Sequence, residues 1–278
     1  MTHPSLPKRP MLGRLPVLRS PIGLAHAVTA LLAVMIVADV LGFGAAGYMM
    51  SVMGDVASGG GAGDVGLGAV DRAVWAVGMT TSMYVLGLLG TATLFIIWFH
   101  RVRHNAEVFA PDVQRRTPGW AIGGWFIPFA NLFIPRGIAA DVLRASQPDP
   151  YASEVRHQGL LNAWWGMWIA SNIFDRFATD RYDEASDPQA IHDAAGWLMT
   201  GSVLDLVSAV LALLFVRRLT AAQNDRRWRG GSRSSSPRRS IRRQAAPLRA
   251  AARFQALDAG AGRPMTVRSG PPARAART

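Results

Sequence analysis

Two aspartates stand alone inside long apolar runs. Asp39 interrupts the run from Ala25 to Met50, and Asp205 interrupts the run from Ala194 to Val216. Burying a carboxyl group in hydrocarbon is costly, so such a residue is by default a working group: a proton carrier or the counter-ion on a cation pathway. The structural alternative is an aspartate that cements helices through hydrogen bonds. Asn131, Asn162 and Asn172 are the candidate polar partners within the apolar part of the chain. The pattern leaves both readings open.

Other constellations carry less chemistry. His100, His104 and Glu107 share a helical face and could hold a metal, but Arg101 and Arg103 beside them oppose a cation site. An interfacial helix at the lipid headgroups is the expectation there. Asp180, Asp183, Glu184, Asp187 and Asp193 form an acidic stretch whose spacing is not that of a calcium-binding loop, so a solvated loop from Asp175 to Asp193 is expected. Gly59–Gly61 lack the Lys-Ser/Thr of a phosphate-binding loop, and neither a nucleophile elbow nor a recognisable triad occurs. No cysteine is present, which excludes disulfides and thiolate metal sites. No metal, cofactor or enzymatic activity is expected.

The elements that position the aspartates are membrane-length helices. Ser20-Pro21 has the form of a helix start, a hydroxyl cap followed by proline in the first turn. Ala25–Met50, Ala73–Phe99 and Ala194–Val216 each supply the ~20 apolar residues that a span requires. Gln158–Phe174 is shorter, but it is uncharged and carries Trp164, Trp165 and Trp168. Ser51–Asp71 is glycine-rich with Asp55, Asp64 and Asp71, and reads as a mobile loop. Arg136–Ser146 reads as a short amphipathic helix, with Ile138, Val142 and Ala145 on one side and Arg136, Asp141 and Arg144 on another. Beyond Val216, sixteen arginines face only Asp225 and Asp258, so the formal net charge of +12 belongs to the tail. That tail is expected to be disordered from residue 225 onward. It suits anionic lipid headgroups. Binding to nucleic acid is not expected, because Trp228 and Phe254 are its only aromatics for base stacking.

The stretch from Thr117 to Ser146 decides the topology. It is apolar, yet Gly119, Gly123 and Gly124, then Pro128, Asn131 and Pro135, disfavour a straight helix. If it enters and leaves on one side, the positive-inside rule puts all but Arg72, Arg176 and Arg181 of the 30 basic residues in the cytoplasm. If it spans, the basic residues divide less cleanly. The expectation is therefore a re-entrant segment broken at Pro128 and Pro135, with Asn131 bonding the freed carbonyls and Gly119-x-x-x-Gly123 allowing close packing.

Four segments resemble a known family: WFHRVRHNAEVF (98–109), GWAIGGWFIPFANLFIPRGIAADVLRAS (119–146), LLNAWWGMWIASNIFDRF (160–177) and LFVRRLTAAQ (214–223). The family is a bacterial membrane-protein family common in actinobacteria, domain of unknown function 4328. The likeness covers roughly residues 20–223, and Trp125, Phe126, Pro128, Asn131 and Pro135 are its most specific part. It implies an integral membrane protein with several helices and carries over no activity and no catalytic residue.

The resulting expectation is an all-α polytopic protein of the plasma membrane. It has a basic N-terminus (1–20), a membrane domain (21–223) with four transmembrane helices and a re-entrant centre, and an Arg-rich tail (224–278), both termini being cytoplasmic. The expected role is a non-enzymatic scaffold or partner-binding component of the cell membrane, embedded in the lipid bilayer. The alternative is a small-solute or ion transporter using Asp39 and Asp205, and a wet cavity reaching both would favour it over a dry core. The pairs 25–50 with 73–99 and 160–177 with 194–216 suggest a parallel repeat.

Overall fold

The computed structural model describes residues 18–59 and 66–234. Among these every regular element is a helix. The elements are α1 (Ile22–Ala57), α2 (Leu67–Phe109), α3 (Trp120–Gly123), α4 (Ile134–Ser146), α5 (Gln158–Asp183) and α6 (Pro188–Ser234), with 3-10 turns at Pro111–Val113 and Ala130–Leu132. Three helices are long and apolar enough to cross a membrane: α1, α2 and α6. That is consistent with a multi-pass membrane protein. The first compact unit ends at Arg227, and the described part of the second continues α6 to Ser234.

The helices outrun the apolar segments. Residues 51–57 continue α1 and residues 67–71 open α2, so the expected loop between them shrinks to little more than the six residues 60–65, which lie outside the described residues. Asp175–Asp183 completes α5, and α6 begins at Pro188, so the acidic stretch is two helix ends. Arg176 pairs with Asp180 at 3.1 Å and Arg181 with Glu184 at 3.6 Å. The Asp187 carboxylate accepts the Ala190 N–H at 2.9 Å, a capping contact at the start of α6. Local charge pairing and capping favour helix over a solvated loop here. Residues 225–234, expected to be disordered, are helical, and the remainder of the tail is outside the described residues. The Ser20 hydroxyl does not cap α1; the first turn closes through the Pro21 carbonyl, which accepts the Ala25 N–H at 2.9 Å.

Contacts between helices fix their directions. Arg19 bonds Asn105 while Met35 abuts Gly87, so α1 and α2 are antiparallel. Gly42 faces Ser202 and Gly54 faces His192, so α6 runs antiparallel to α1. Trp164 stacks on Phe215 at 4.9 Å and Phe177 meets Trp197 at 5.4 Å, so α5 opposes α6. The result is an up-down-up-down arrangement of α1, α2, α5 and α6.

The central stretch turns back on itself. Trp125 sits among Phe95, Phe99, Trp165 and Trp168, its ring centroid 5.7–6.1 Å from theirs. The chain then reverses through Phe129, whose φ of 61° is a left-handed conformation unusual for a bulky residue, and returns along α4. Arg226 of α6 joins the two ends of the excursion. Its guanidinium donates to the Ala145 carbonyl at 2.6 Å, to the Gln147 carbonyl and to the Phe109 carbonyl at 3.3 Å. Arg226 thus satisfies carbonyls at two helix C-termini that have no partner of their own.

Three expectations for this stretch need correction. The donor to the freed backbone is not Asn131, whose side chain makes no hydrogen bond among the described residues; the Trp165 indole donates to the Leu132 carbonyl at 3.0 Å. Pro135 does not break a helix. It occupies the first turn of α4, where its missing N–H costs nothing. Among the described residues a Cβ on Gly119 or Gly123 would meet nothing within 4 Å, whereas a Cβ on Gly124 would lie 2.7 Å from Ile134 Cγ2. Within α4, Ile138, Val142 and Ala145 are buried as expected, but so is Asp141. Burial pushes the Asp141 carboxyl above the usual carboxylate range, and the Arg115 backbone N–H at 3.3 Å and its guanidinium at 3.6 Å oppose that shift.

Candidate functional site: a polar cavity between two apolar clusters

Two apolar clusters occupy the ends of the first unit. One gathers Val28 and Leu32 of α1, Trp98 and Phe99 of α2, Val142 of α4, Trp164 of α5 and Phe215 of α6. The other joins Met49, Val52 and Met53 of α1 to Ala73 of α2 and Ala195 of α6. Asp39, Tyr84, Asp175 and Asp205 lie between these levels, one from each long helix. All four line a cavity of about 170 Å³.

Small residues make the room. Gly42 and Ala46 follow Asp39 on one face of α1, Gly201 precedes Asp205 by one turn on α6, and Ala178 follows Asp175 on α5. A Cβ at Gly201 would lie 2.8 Å from Asp175 Oδ1, so only glycine leaves this carboxylate its position. Asp39 is 4 % exposed, and its Oδ2 is buried without a hydrogen-bond partner. Tyr84, Asp175 and Asp205 share the wall of the cavity, and the nearby Ser171 hydroxyl donates to the Trp168 carbonyl of its own helix at 3.2 Å. Thr80, Thr81, Thr179 and Ser202 add hydroxyls to the wall.

Among the candidates read from the sequence, Asp39 and Asp205 are brought together. The asparagines are not part of the site. Asn162 accepts from Arg136 at 2.7 Å, Asn172 donates to the Trp168 carbonyl at 2.6 Å, and Asn131 belongs to the hairpin. His104 lies 3.8 Å from Glu107, and no group of three His, Cys, Asp or Glu among the described residues is arranged to hold a metal ion. Asp175 and Tyr84 were missed. Asp175 follows directly on an uncharged run and in sequence reads as the first residue of the acidic stretch. Its helical period, Trp164, Trp168, Ser171, Asp175 and Ala178, was the available signal that it faces inward.

Residues 63–221 match the family described as Domain of unknown function (DUF4328). The chain belongs to this family. The matched region contains Tyr84, Asp175 and Asp205 but begins after Asp39, so the DUF4328 region supplies three walls of the cavity and the preceding helix the fourth. No curated protein and no solved structure matches the chain.

Proposed function

We propose that this chain is a multi-pass protein of the cell membrane that moves a small solute or ion through the cavity at Asp39, Asp175 and Asp205. The observation that carries this reading is the cavity itself: carboxylates from three helices converge on unfilled space where a scaffold would be packed dry. The same level of the helices is apolar outside, with Leu86 71 % and Ile173 68 % exposed. A polar interior inside an apolar exterior suits a hydrocarbon surrounding. Ile173 lies on α5, which supports a fourth span beside the three longest helices.

In this reading α1, α2, α5 and α6 span and the central hairpin is re-entrant. The end bearing Arg19, Arg101, Arg115, Arg116, Arg217 and Arg218 faces the cytoplasm, as the positive-inside rule favours. The tail arginines then meet anionic headgroups. The protein works without catalysis. The test is flux: proteoliposomes holding the full chain should dissipate an imposed gradient of H⁺, Na⁺, K⁺ or radiolabelled methylammonium faster than empty liposomes. The Asp205→Asn variant should lose the difference. Liposomes as tight as empty ones toward all four cations would return the reading to a scaffold.

A further inference from the structure

Resting on the transport reading, we infer that the cavity recognises a small primary ammonium ion. The wall is a surface of acceptors. Asp39, Asp175 and Asp205 line it, and among the described residues no lysine, arginine or histidine does. The hydroxyls add to the same character. Thr80 Oγ1 is placed to donate to the Ala76 and Val77 carbonyls of its own helix, at 2.9 and 3.0 Å, and Ser202 Oγ donates to the Leu198 carbonyl at 3.1 Å. With their protons engaged, these hydroxyls offer lone pairs to any occupant. The buried and unpartnered Asp39 Oδ2 lacks a donor, and leaving it so is costly.

The remaining features narrow the class. An anion would meet three carboxylates. A dehydrated metal ion needs several ligands converging at about 2.0–2.6 Å, and the acidic groups are not so arranged. Among the described residues Tyr84 is the only aromatic in the wall, which makes no cage for a quaternary ammonium. A primary ammonium brings one positive charge and three N–H donors, as a lysine head does, which suits carboxylate and hydroxyl acceptors spread over one wall. Val77, Leu198, Ala38 and Ala178 give a short alkyl group apolar wall.

The experiment uses the full chain purified in detergent. Methylammonium and ethylammonium chloride should raise the unfolding temperature by roughly 3–5 °C at tenfold excess over Kd. NaCl, KCl and tetramethylammonium chloride at equal ionic strength should not, and Asp39→Asn should lose the shift. The chain has no cysteine, so Ser202→Cys provides a single thiol in the wall. It should react with aminoethyl methanethiosulfonate at least ten times faster than with the trimethylammonium or sulfonate analogue, and methylammonium should slow that reaction. Should Asp39→Asn fail to fold, these rates decide alone. Equal rates for the three reagents, or a thermal shift with sodium or potassium only, overturn the ammonium assignment. Sodium or proton flux in the liposome assay would in that case leave the transport reading standing, whereas tight liposomes would remove both.

Discussion

Single side chains decide whether the polar interior and the hairpin hold. Trp165 is buried, and its indole supplies the donor that the Leu132 carbonyl needs at the turn. Trp165→Phe should therefore lower stability by about 1–3 kcal/mol, the range for an abandoned buried acceptor. Asn131→Leu should stay within about 0.5 kcal/mol, because its side chain bonds nothing among the described residues. Thermal unfolding of both variants in detergent separates the two roles, and a larger loss for Asn131→Leu would reverse the assignment. At the cavity, Gly201→Ala places a methyl against Asp175 Oδ1, so either the carboxylate or the helix must shift. The clashing atom is the far end of a side chain beside open space, so the cost should stay at the low end for overpacking, about 1 kcal/mol. The substitution should also slow the thiol labelling of Ser202→Cys, since the cavity loses volume and its negative wall is displaced.

The hairpin shows what holds an irregular element in place. Proline supplies only part of the break, since Pro135 is accommodated within α4. Close approach supplies the rest: Gly124 packs under Ile134, and Trp125 is set among four aromatic rings. Gly124→Ala should thus destabilise by about 1–3 kcal/mol. Gly123→Ala, with open space around it, should be neutral or gain up to about 1 kcal/mol through a less flexible unfolded chain. Equal losses at the two positions, measured by thermal melts, would mean that backbone conformation and not packing sets the turn.

At the level of the molecule, Arg226 ties the Phe109 carbonyl to the Ala145 and Gln147 carbonyls, and so holds both ends of the hairpin at one end of the first unit. Reporter fusions after residue 146 and after residue 223 should both report the cytoplasm; an external signal from the first would require the stretch to span. Gln223 bonds Asn105 and the Val102 carbonyl from the same helix end. A chain ending after Arg227 should therefore fold, and one ending after Ala222 should not survive extraction in detergent. Hydrogen bonds to a charged group, at about 1.5–3 kcal/mol each, are lost in the shorter chain. Equal recovery of the two truncated chains would show that this end cluster is dispensable.

The sequence alone determined the all-helical class, the three longest apolar helices, the family and the isolation of Asp39 and Asp205, because each follows from local composition and period. It also located the interruption in the central stretch, since proline and glycine act on the backbone wherever they stand. It misjudged the helix ends, where acidic and glycine-rich residues read as loop; at α5 and α6, ion pairs and a capping carboxylate favour the helix instead. Only the tertiary structure decided that Asp175 and Tyr84 join the two aspartates, and that Trp165 and Arg226 serve the hairpin. Those partners lie on different helices, so no local pattern connects them. Their meeting depends on the antiparallel order of the helices and on the glycines and alanines that let the helices approach while leaving a cavity between them.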